Sequence, residues 1–280
     1  MSVPAYLKAG PFTSNVLVKK KYLIFHVFQI WVSVFIIQFL FWWYWNLLYY
    51  NKFMHFLIFL PFLIFFMYVS LVFGSLFFTK ILLIIANLFH KPREGIFLRD
   101  PSDKDYKYWS IRNTIKKWSA WMAHKFPLPF LDNICFKVFG VKTKFSNSLF
   151  EGWVDTEFIE FGKNVVVGQA SVIQSAVIIG NLFIIRKTII EDNVRIGAHS
   201  VVMPGTHMKK DSILAASSLT TVGQELEEGW VYLGAPAKKY KKDVFFEDGL
   251  EEIIVEQEHD IDELRKKYEE LYTRRKDKQV

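Results

Sequence analysis

Residues 161–218 read FGKNVVVGQASVIQSAVIIGNLFIIRKTIIEDNVRIGAHSVVMPGTHMKKDSILAASS. Apolar residues return every six positions at Phe161, Val167, Ile173, Ile179 and Ile185. After one five-residue step they resume at Ile190, Ile196, Val202, Met208 and Leu214. Glycine follows directly at Gly162, Gly168, Gly180 and Gly197. A compact or apolar residue stands four places after each anchor: Val165, Ser171, Val177, Ile189, Val194, Ser200, Thr206, Ser212 and Ser218, with Phe183 the bulky exception. A period of six is neither the 3.6 of a helix nor the 2 of a strand. It fits a parallel β-helix, in which one apolar residue per flat face points inward and stacked coils share a continuous core. Small residues suit the tight corners, where glycine relieves backbone strain. A less regular entry coil begins near Val141, through Phe145, Trp153 and Ile159.

Outward from this stretch the composition changes. The chain has 280 residues, 51% hydrophobic and 18% aromatic, with the excess crowded into the first ninety. Lys+Arg 35 against Asp+Glu 28 leaves +7. No acidic residue precedes Glu94, so the positive bias tracks the apolar runs and points to a lipid surface, not to nucleic acid. Tyr22 to Tyr50 and Phe53 to Thr79 contain no charged residue, and each exceeds the ~20 residues of a membrane-spanning helix. Asn51-Lys52 between them makes a helical hairpin, with Pro61 a kink site. A signal peptide is excluded by the length of the first run and by the second run that follows at once. Lys8, Lys19, Lys20 and Lys21 precede the hairpin and Lys91, Arg93 and Arg99 follow it, which places both termini in the cytoplasm of a multi-pass protein of the cell membrane. The single cysteine, Cys135, cannot form an internal disulfide.

The expected organisation is an N-terminal segment 1–21, a transmembrane hairpin 22–90, connecting helices 91–140, a β-helix domain 141–242 and a C-terminal helix 243–280. In the connecting region Trp109, Ile115, Trp118 and Met122 recur at helical spacing beside Arg112, Lys116 and Lys117, up to Pro127 and Pro129. Such a helix suits a membrane surface or caps the soluble domain. In the tail, Ile254, Ile261 and Tyr268 recur in sevens, as do Gln257, Leu264 and Leu271. This seam fits a coiled coil or a helix packed along the β-helix.

VRIGAHSVVMPGT (194–206) and YLGAPAKKYKK (232–242) resemble the repeat signature and the closing segment of the hexapeptide-repeat acyltransferase superfamily. LDNICFKVFGVKTK (131–144) followed by DTEFIEFGKNVVVG (155–168) resembles its membrane-associated branch, found at the C-terminus of polylysine-synthetase-like proteins. The resemblance implies a left-handed parallel β-helix, a homotrimer, and acyl-coenzyme A (acetyl-CoA) in the groove between subunits. Ala215, Ala216 and Ser217 would line that groove, and Lys238 and Lys239 would meet the coenzyme's phosphates. The fold class expected is thus mixed: a transmembrane helical hairpin, a left-handed β-helix and a C-terminal α-helix.

Acyl transfer needs a base for the acceptor and a donor for the oxyanion. The resembling branch places a histidine shortly after a glutamine in a loop thrown out from the coils. Here the segment Ile173-Gln174-Ser175-Ala176-Val177-Ile178 keeps the glutamine and lacks the histidine. Gln174 and Ser175 remain as substrate-loop candidates. For the base, His199 lies in the repeat at an outward position, with His207 at a corner. Asp155 and Glu157 interrupt an apolar region, and in coils of about eighteen residues Glu157 falls beneath Ser175. The alternatives for Glu157 are a charged edge of the first coil or an ion pair with a lysine.

Two functions compete. One is a membrane-anchored acyltransferase acting on a small or lipid-linked acceptor. The other is a catalytically silent trimeric scaffold at the membrane. A zinc hydratase on the same fold needs three histidines. His124, His199, His207 and His259 include no adjacent pair at ligand spacing, so no metal is expected.

Overall fold

The computed structural model describes residues 20–50, 52–100, 102–127, 130–149, 152–243 and 266. The chain divides into two compact units, Met1–Lys241 and Lys242–Val280. Pro129, His259 and the expected C-terminal helix with its heptad seam lie outside the described residues, as do Lys8 and Lys19.

Four helices come first: α1 (Leu23–Leu48), α2 (Phe53–Phe89), α3 (Lys104–His124) and α4 (Phe130–Phe139). A strand, β1 (Gly95–Leu98), lies between α2 and α3. Asp103 caps α3, its side chain accepting from the Tyr106 N–H at 3.1 Å. Helix α2 runs through Pro61, which lies near its start.

The multi-pass location with both termini cytoplasmic is corrected by the packing of these helices. Both α1 and α2 have the length and composition of a membrane span. They are nevertheless two members of a four-helix assembly rather than a bare hairpin. Val72, Leu76, Leu83 and Ala86 of α2 share one apolar core with Ile115, Met122 and Ala123 of α3 and with Leu131, Cys135 and Phe139 of α4. Polar side chains tie the same helices. Gln29 Nε2 donates to Thr79 Oγ1 at 2.7 Å and to the Ile115 carbonyl at 2.9 Å, and Ser119 Oγ donates to the Ser75 carbonyl at 2.8 Å. Helix α3 is a buttress between these helices and the repeats, with Trp109, Arg112, Ile115 and Ser119 all buried.

The rest is built of short strands: β2 (Trp153–Val154), β3 (Ile159–Phe161), β4 (Val166–Val167), β5 (Val172–Ile173), β6 (Ala176–Ile179), β7 (Leu182–Ile185), β8 (Thr188–Ile190), β9 (Arg195–Ile196), β10 (Val201–Val202), β11 (His207–Met208), β12 (Ile213–Leu214), β13 (Glu225–Leu226), β14 (Trp230–Leu233) and β15 (Lys238–Lys242). They form three mainly parallel sheets, in the orders β10-β5-β2, β13-β11-β8-β3 and β15-β14-β12-β9-β4. Each sheet takes every third strand of the repeats, as a coil with three faces requires. Partners in successive layers are 18 residues apart, as Asn193 and Asp211 are. The interior is a column of anchors: Phe161, Val167, Ile173, Ile190, Ile196, Val202, Met208, Leu214 and Leu226. Two places before the anchors stand Ser171, Thr188, Val194, Ser200, Thr206 and Ser212, all buried. A mixed α/β fold with N-terminal helices and a stacked β region consistent with a β-helix is therefore present.

The structure departs from the six-residue reading at one place. Between Ile173 and Thr188 the layer spacing is 29 rather than 18, as between Asn164 and Asn193. The extra residues form the antiparallel hairpin β6–β7, and β1 adds to its far edge through Gly95↔Ile185 to Leu98↔Leu182. Ile179 and Ile185 are thus hairpin residues, not coil anchors. Ile189, expected at a small-residue position, faces outward on β8 while Thr188 fills the interior.

The turns of the stack show the same register. Ala170, His199 and Ser217 have φ of 56°, 57° and 56°, and Asn164, Asn193 and Asp211 have φ of 56°, 60° and 56°. Each trio is a corner column with one left-handed residue per layer.

Candidate functional site

Three places hold the residues singled out by the sequence. The first is the corner column of Ala170, His199 and Ser217. The Ser217 N–H donates to the Ala198 carbonyl at 2.8 Å, and the His199 N–H donates to the Gln169 carbonyl at 2.9 Å. This brings His199 and the group Ala215, Ala216 and Ser217 to one edge in consecutive layers. His199 is exposed. The layers are in close contact there, since a Cβ on Gly197 would lie 2.3 Å from the Ala216 nitrogen. Only hydrogen fits at that position, so the two layers pack backbone against backbone there.

Lys238 and Lys239 are on β15, which closes the sheet containing β12. Lys239 Nζ lies 2.5 Å from Glu227 Oε2 and 3.8 Å from the Trp230 ring centroid. Lys238 is exposed.

The second place is the junction of α3 with the entry coil. Glu157 receives Arg112 Nε at 2.8 Å and Nη2 at 3.3 Å, and Lys116 Nζ at 2.8 Å. Arg112 Nη1 also donates to the His90 carbonyl at 3.1 Å. Burial pushes the Glu157 carboxyl up, but Lys116 and Arg112 outweigh it and hold the group below the usual carboxylate range. A carboxylate held ionised by two cations is a weak proton acceptor, so its geometry is that of a clamp between helix and coil.

Asp155, not Glu157, lies beneath Ser175. Its Oδ2 accepts from the Ser175 N–H at 3.0 Å and the Ala176 N–H at 3.4 Å, where the chain leaves the coil for the hairpin. Burial pushes Asp155 up to about 6, against the lowering effect of the Ser175 amide and of Lys116. Gln174 and Ser175 are themselves buried. Neither Gln174 Nε2 nor Oε1 has a hydrogen-bond partner. These two residues therefore close the coil rather than line an open loop.

The hairpin that replaces the loop is covered on both sides. Val177, Ile179 and Ile184 pack with Val201, Met203 and Leu219 of the coils. Ala176, Phe183 and Ile185 pack with Trp109, Tyr106 and Phe97. A segment buried on two faces is a joint, and a catalytic histidine there would meet protein, not substrate.

The third place is His207, which lies on β11 and not at a corner. Its Nε2 is 2.6 Å from Glu191 Oε1, both side chains being partly exposed. Among the described residues no group of three or more His, Cys, Asp or Glu side chains is arranged to hold a metal ion.

A further pair has no signature in local spacing. His124 Nδ1 at the end of α3 lies 3.4 Å from Asp132 Oδ2 in the first turn of α4. The two are on different helices, so no helical spacing links them.

No family model matches the chain. A 2,3,4,5-tetrahydropyridine-2,6-dicarboxylate N-acetyltransferase of Staphylococcus aureus (strain bovine RF122 / ET3-1) is 36% identical over 93 residues, 33% of this chain and 37% of that relative. The protein of strain JH9 matches to the same extent. The chain thus spans little more than a third of the length of the curated relatives it matches. Among solved structures, a galactoside acetyltransferase in complex with coenzyme A is similar at TM-score 0.40 and 15% identity, over 55% of this chain and 92% of that one. A hexapeptide-repeat acetyltransferase of Vibrio cholerae O1 biovar eltor complexed with acetyl coenzyme A gives TM-score 0.40 and 12% identity, over 52% and 92%. About a third of the chain is thus similar to part of an N-acetyltransferase.

Proposed function

We propose that the protein is an acyl-CoA-dependent acyltransferase, with acetyl-CoA as donor, that transfers the acyl group to a hydroxyl or amine of a small acceptor. The observation that carries this reading is the edge formed by Ala170, His199 and Ser217, with Ala215 and Ala216 beside it. The side chains of Ala170, Ala215, Ala216 and Ser217 are small, and along that edge a pantetheine arm is assigned to lie against the backbone. The stacked sheets are read as a left-handed parallel β-helix and the assembly as a homotrimer, so that a neighbouring subunit forms the second wall. Lys238 and Lys239 are assigned to the coenzyme's phosphates as point charges, with Lys239 first leaving Glu227. His199 is assigned to the coenzyme side of the reaction, near the thioester. Within the superfamily we place the chain near the branch found in polylysine-synthetase-like proteins.

The test is thermal stability of the whole chain with CoA and with acetyl-CoA. Saturation at a hundred times the dissociation constant should stabilise by about 2.7 kcal/mol. Ala216→Trp should remove the effect by obstructing that edge. The second reading, a silent scaffold, is favoured by the hairpin packed where the loop histidine would stand. Absence of a shift with either ligand decides for the scaffold.

A further inference from the structure

A groove of about 820 Å³ lies beside the corner column of Asn164, Asn193 and Asp211. This is not the corner that holds Ala170, His199 and Ser217. Its size suits a whole small molecule rather than a few waters. Lys137 at the end of α4 and Lys144 in the chain that follows stand on one wall, Glu191 and Asp192 on the other, and Gly162 on the floor.

The floor is fixed by backbone contact. Phe161 pairs with Ile190, and Ile190 with Met208, so Gly162, Glu191 and Lys209 follow one another in an outward column. Gly162 is the member without a side chain, and none can be added. A Cβ there would lie 2.6 Å from the Asp192 nitrogen and 2.7 Å from the Glu191 carbonyl carbon. The column therefore has a built notch between Lys144 and Glu191.

The charged groups around the notch are unequally engaged. Glu160 takes both Lys142 and Lys187. Glu191 takes His207 on Oε1 and the Lys210 N–H on Oε2, and Asp192 Oδ1 accepts from the Lys163 N–H. Among the described residues no carboxylate pairs with Lys137 or Lys144, and both are exposed. Lys137 Nζ stands 3.6 Å from the Phe145 ring centroid, a contact that holds the ammonium in place without neutralising it. Two ammonium groups left over call for a dianion. A phosphate monoester carries close to two charges at neutral pH, where a carboxylate carries one. The carboxylates opposite keep spare lone pairs, since each offers about four acceptor positions, and these suit hydroxyl donors.

We infer that the groove is a second binding site, for a phosphorylated polyol. The phosphate lies between Lys137 and Lys144, and the hydroxyls face Glu191 and Asp192. The site is separate from the edge assigned to coenzyme A and does not rest on the acyltransfer reading. A bare phosphate would fill only the lysine end and leave the acidic wall unused.

The test is calorimetric titration of the full chain with glucose 1-phosphate, with glucose and with inorganic phosphate. Glucose 1-phosphate should bind at least about tenfold more tightly than inorganic phosphate, and glucose should give no signal. Lys137→Gln and Lys144→Gln should each weaken glucose 1-phosphate about tenfold, the loss of one charge-assisted contact, with melting temperature unchanged. Lys209→Gln removes the same charge from an exposed ion pair with Glu225 and should leave the affinity as in the wild type. Lys144→Gln should also leave any thermal shift with CoA unchanged. The inference is overturned if glucose 1-phosphate does not bind, if inorganic phosphate binds as tightly, or if the Lys137 and Lys144 variants bind like the wild type. An equal loss in Lys209→Gln also overturns it, because overall charge then accounts for the binding. So does loss of the CoA shift in Lys144→Gln, because the groove is then part of the coenzyme site.

Discussion

The interior of the repeats and the junction with α3 both bury polar atoms, by opposite means. In the repeats the polar groups are mostly small and neutral, and most of their hydroxyls reach a carbonyl of the same or the next layer, Ser212 Oγ being an exception. Ser171 Oγ donates to the Gly197 carbonyl at 2.7 Å, Ser200 Oγ to the Ala215 carbonyl at 2.8 Å and Thr206 Oγ1 to the Met203 carbonyl at 2.7 Å. At the junction they are charged, long and far apart in sequence: Arg112 and Glu157 are 45 residues apart. Hydroxyls can be placed in a repeating core at little cost, because each brings one donor and most find a carbonyl in the same or the next layer. Charges require desolvation and are retained where one precise arrangement of two different structures must be specified. The difference teaches that the repeats are held by many weak, interchangeable contacts and the helices by a few strong, unique ones.

That contrast can be broken most forcefully at Arg112. Arg112→Ala leaves Glu157 with one cation and the His90 carbonyl without its donor. Removing one partner of a buried ion pair should cost about 3–5 kcal/mol, read from urea denaturation. A loss under 1 kcal/mol would show the junction to be no stronger than a surface pair.

Asp155 sharpens the comparison through pH. Its folded value is raised from 3.8 to about 6 by burial. The stability it contributes is therefore complete below about pH 4 and is lost as pH rises through 6. Asp155→Asn should remove this dependence. The difference in unfolding free energy between wild type and variant should change by up to about 3 kcal/mol between pH 4 and pH 7.5. A flat difference would place the carboxyl in contact with water.

The smallest effect belongs to the repeats. Ser200→Ala deletes the hydrogen bond to the Ala215 carbonyl and the longer one, 3.4 Å, that Ser200 Oγ accepts from the Ser218 N–H. The expected cost is about 1 kcal/mol by chemical denaturation, independent of pH.

The same contrast explains what could be read from residues alone. The repeats were legible because the period of six is carried by each residue locally. The hairpin was hidden by arithmetic, since six is a multiple of two. Residues that alternate along β6 and β7, such as Ile179 and Ile185, fall in step with coil anchors and pass for them. Only the five-residue step before Ile190 and the bulk of Phe183 marked the interruption. The edge with Ala215, Ala216 and Ser217 was legible by resemblance, and its meeting with His199 follows from the 18-residue layer. The junction was legible only in part: an ion pair of Glu157 with a lysine was an open alternative and Lys116 fills it, but the second partner, Arg112, gives no local sign, and Asp132 meets His124 only because the chain turns back after α3. The same packing withdrew the multi-pass location, because apolar length does not show which neighbours a helix has.

The layer spacing also makes the molecule a ruler. Each layer adds about 4.8 Å along the stack, the distance between neighbouring strands. Ala170, His199 and Ser217 are thus graduations on one edge. Excising one complete unit of 18 residues would keep every column aligned, while moving the closing segment one graduation nearer to the junction. The reach of a bound arm along the edge is therefore set by a count of layers, a quantity that changes in whole steps.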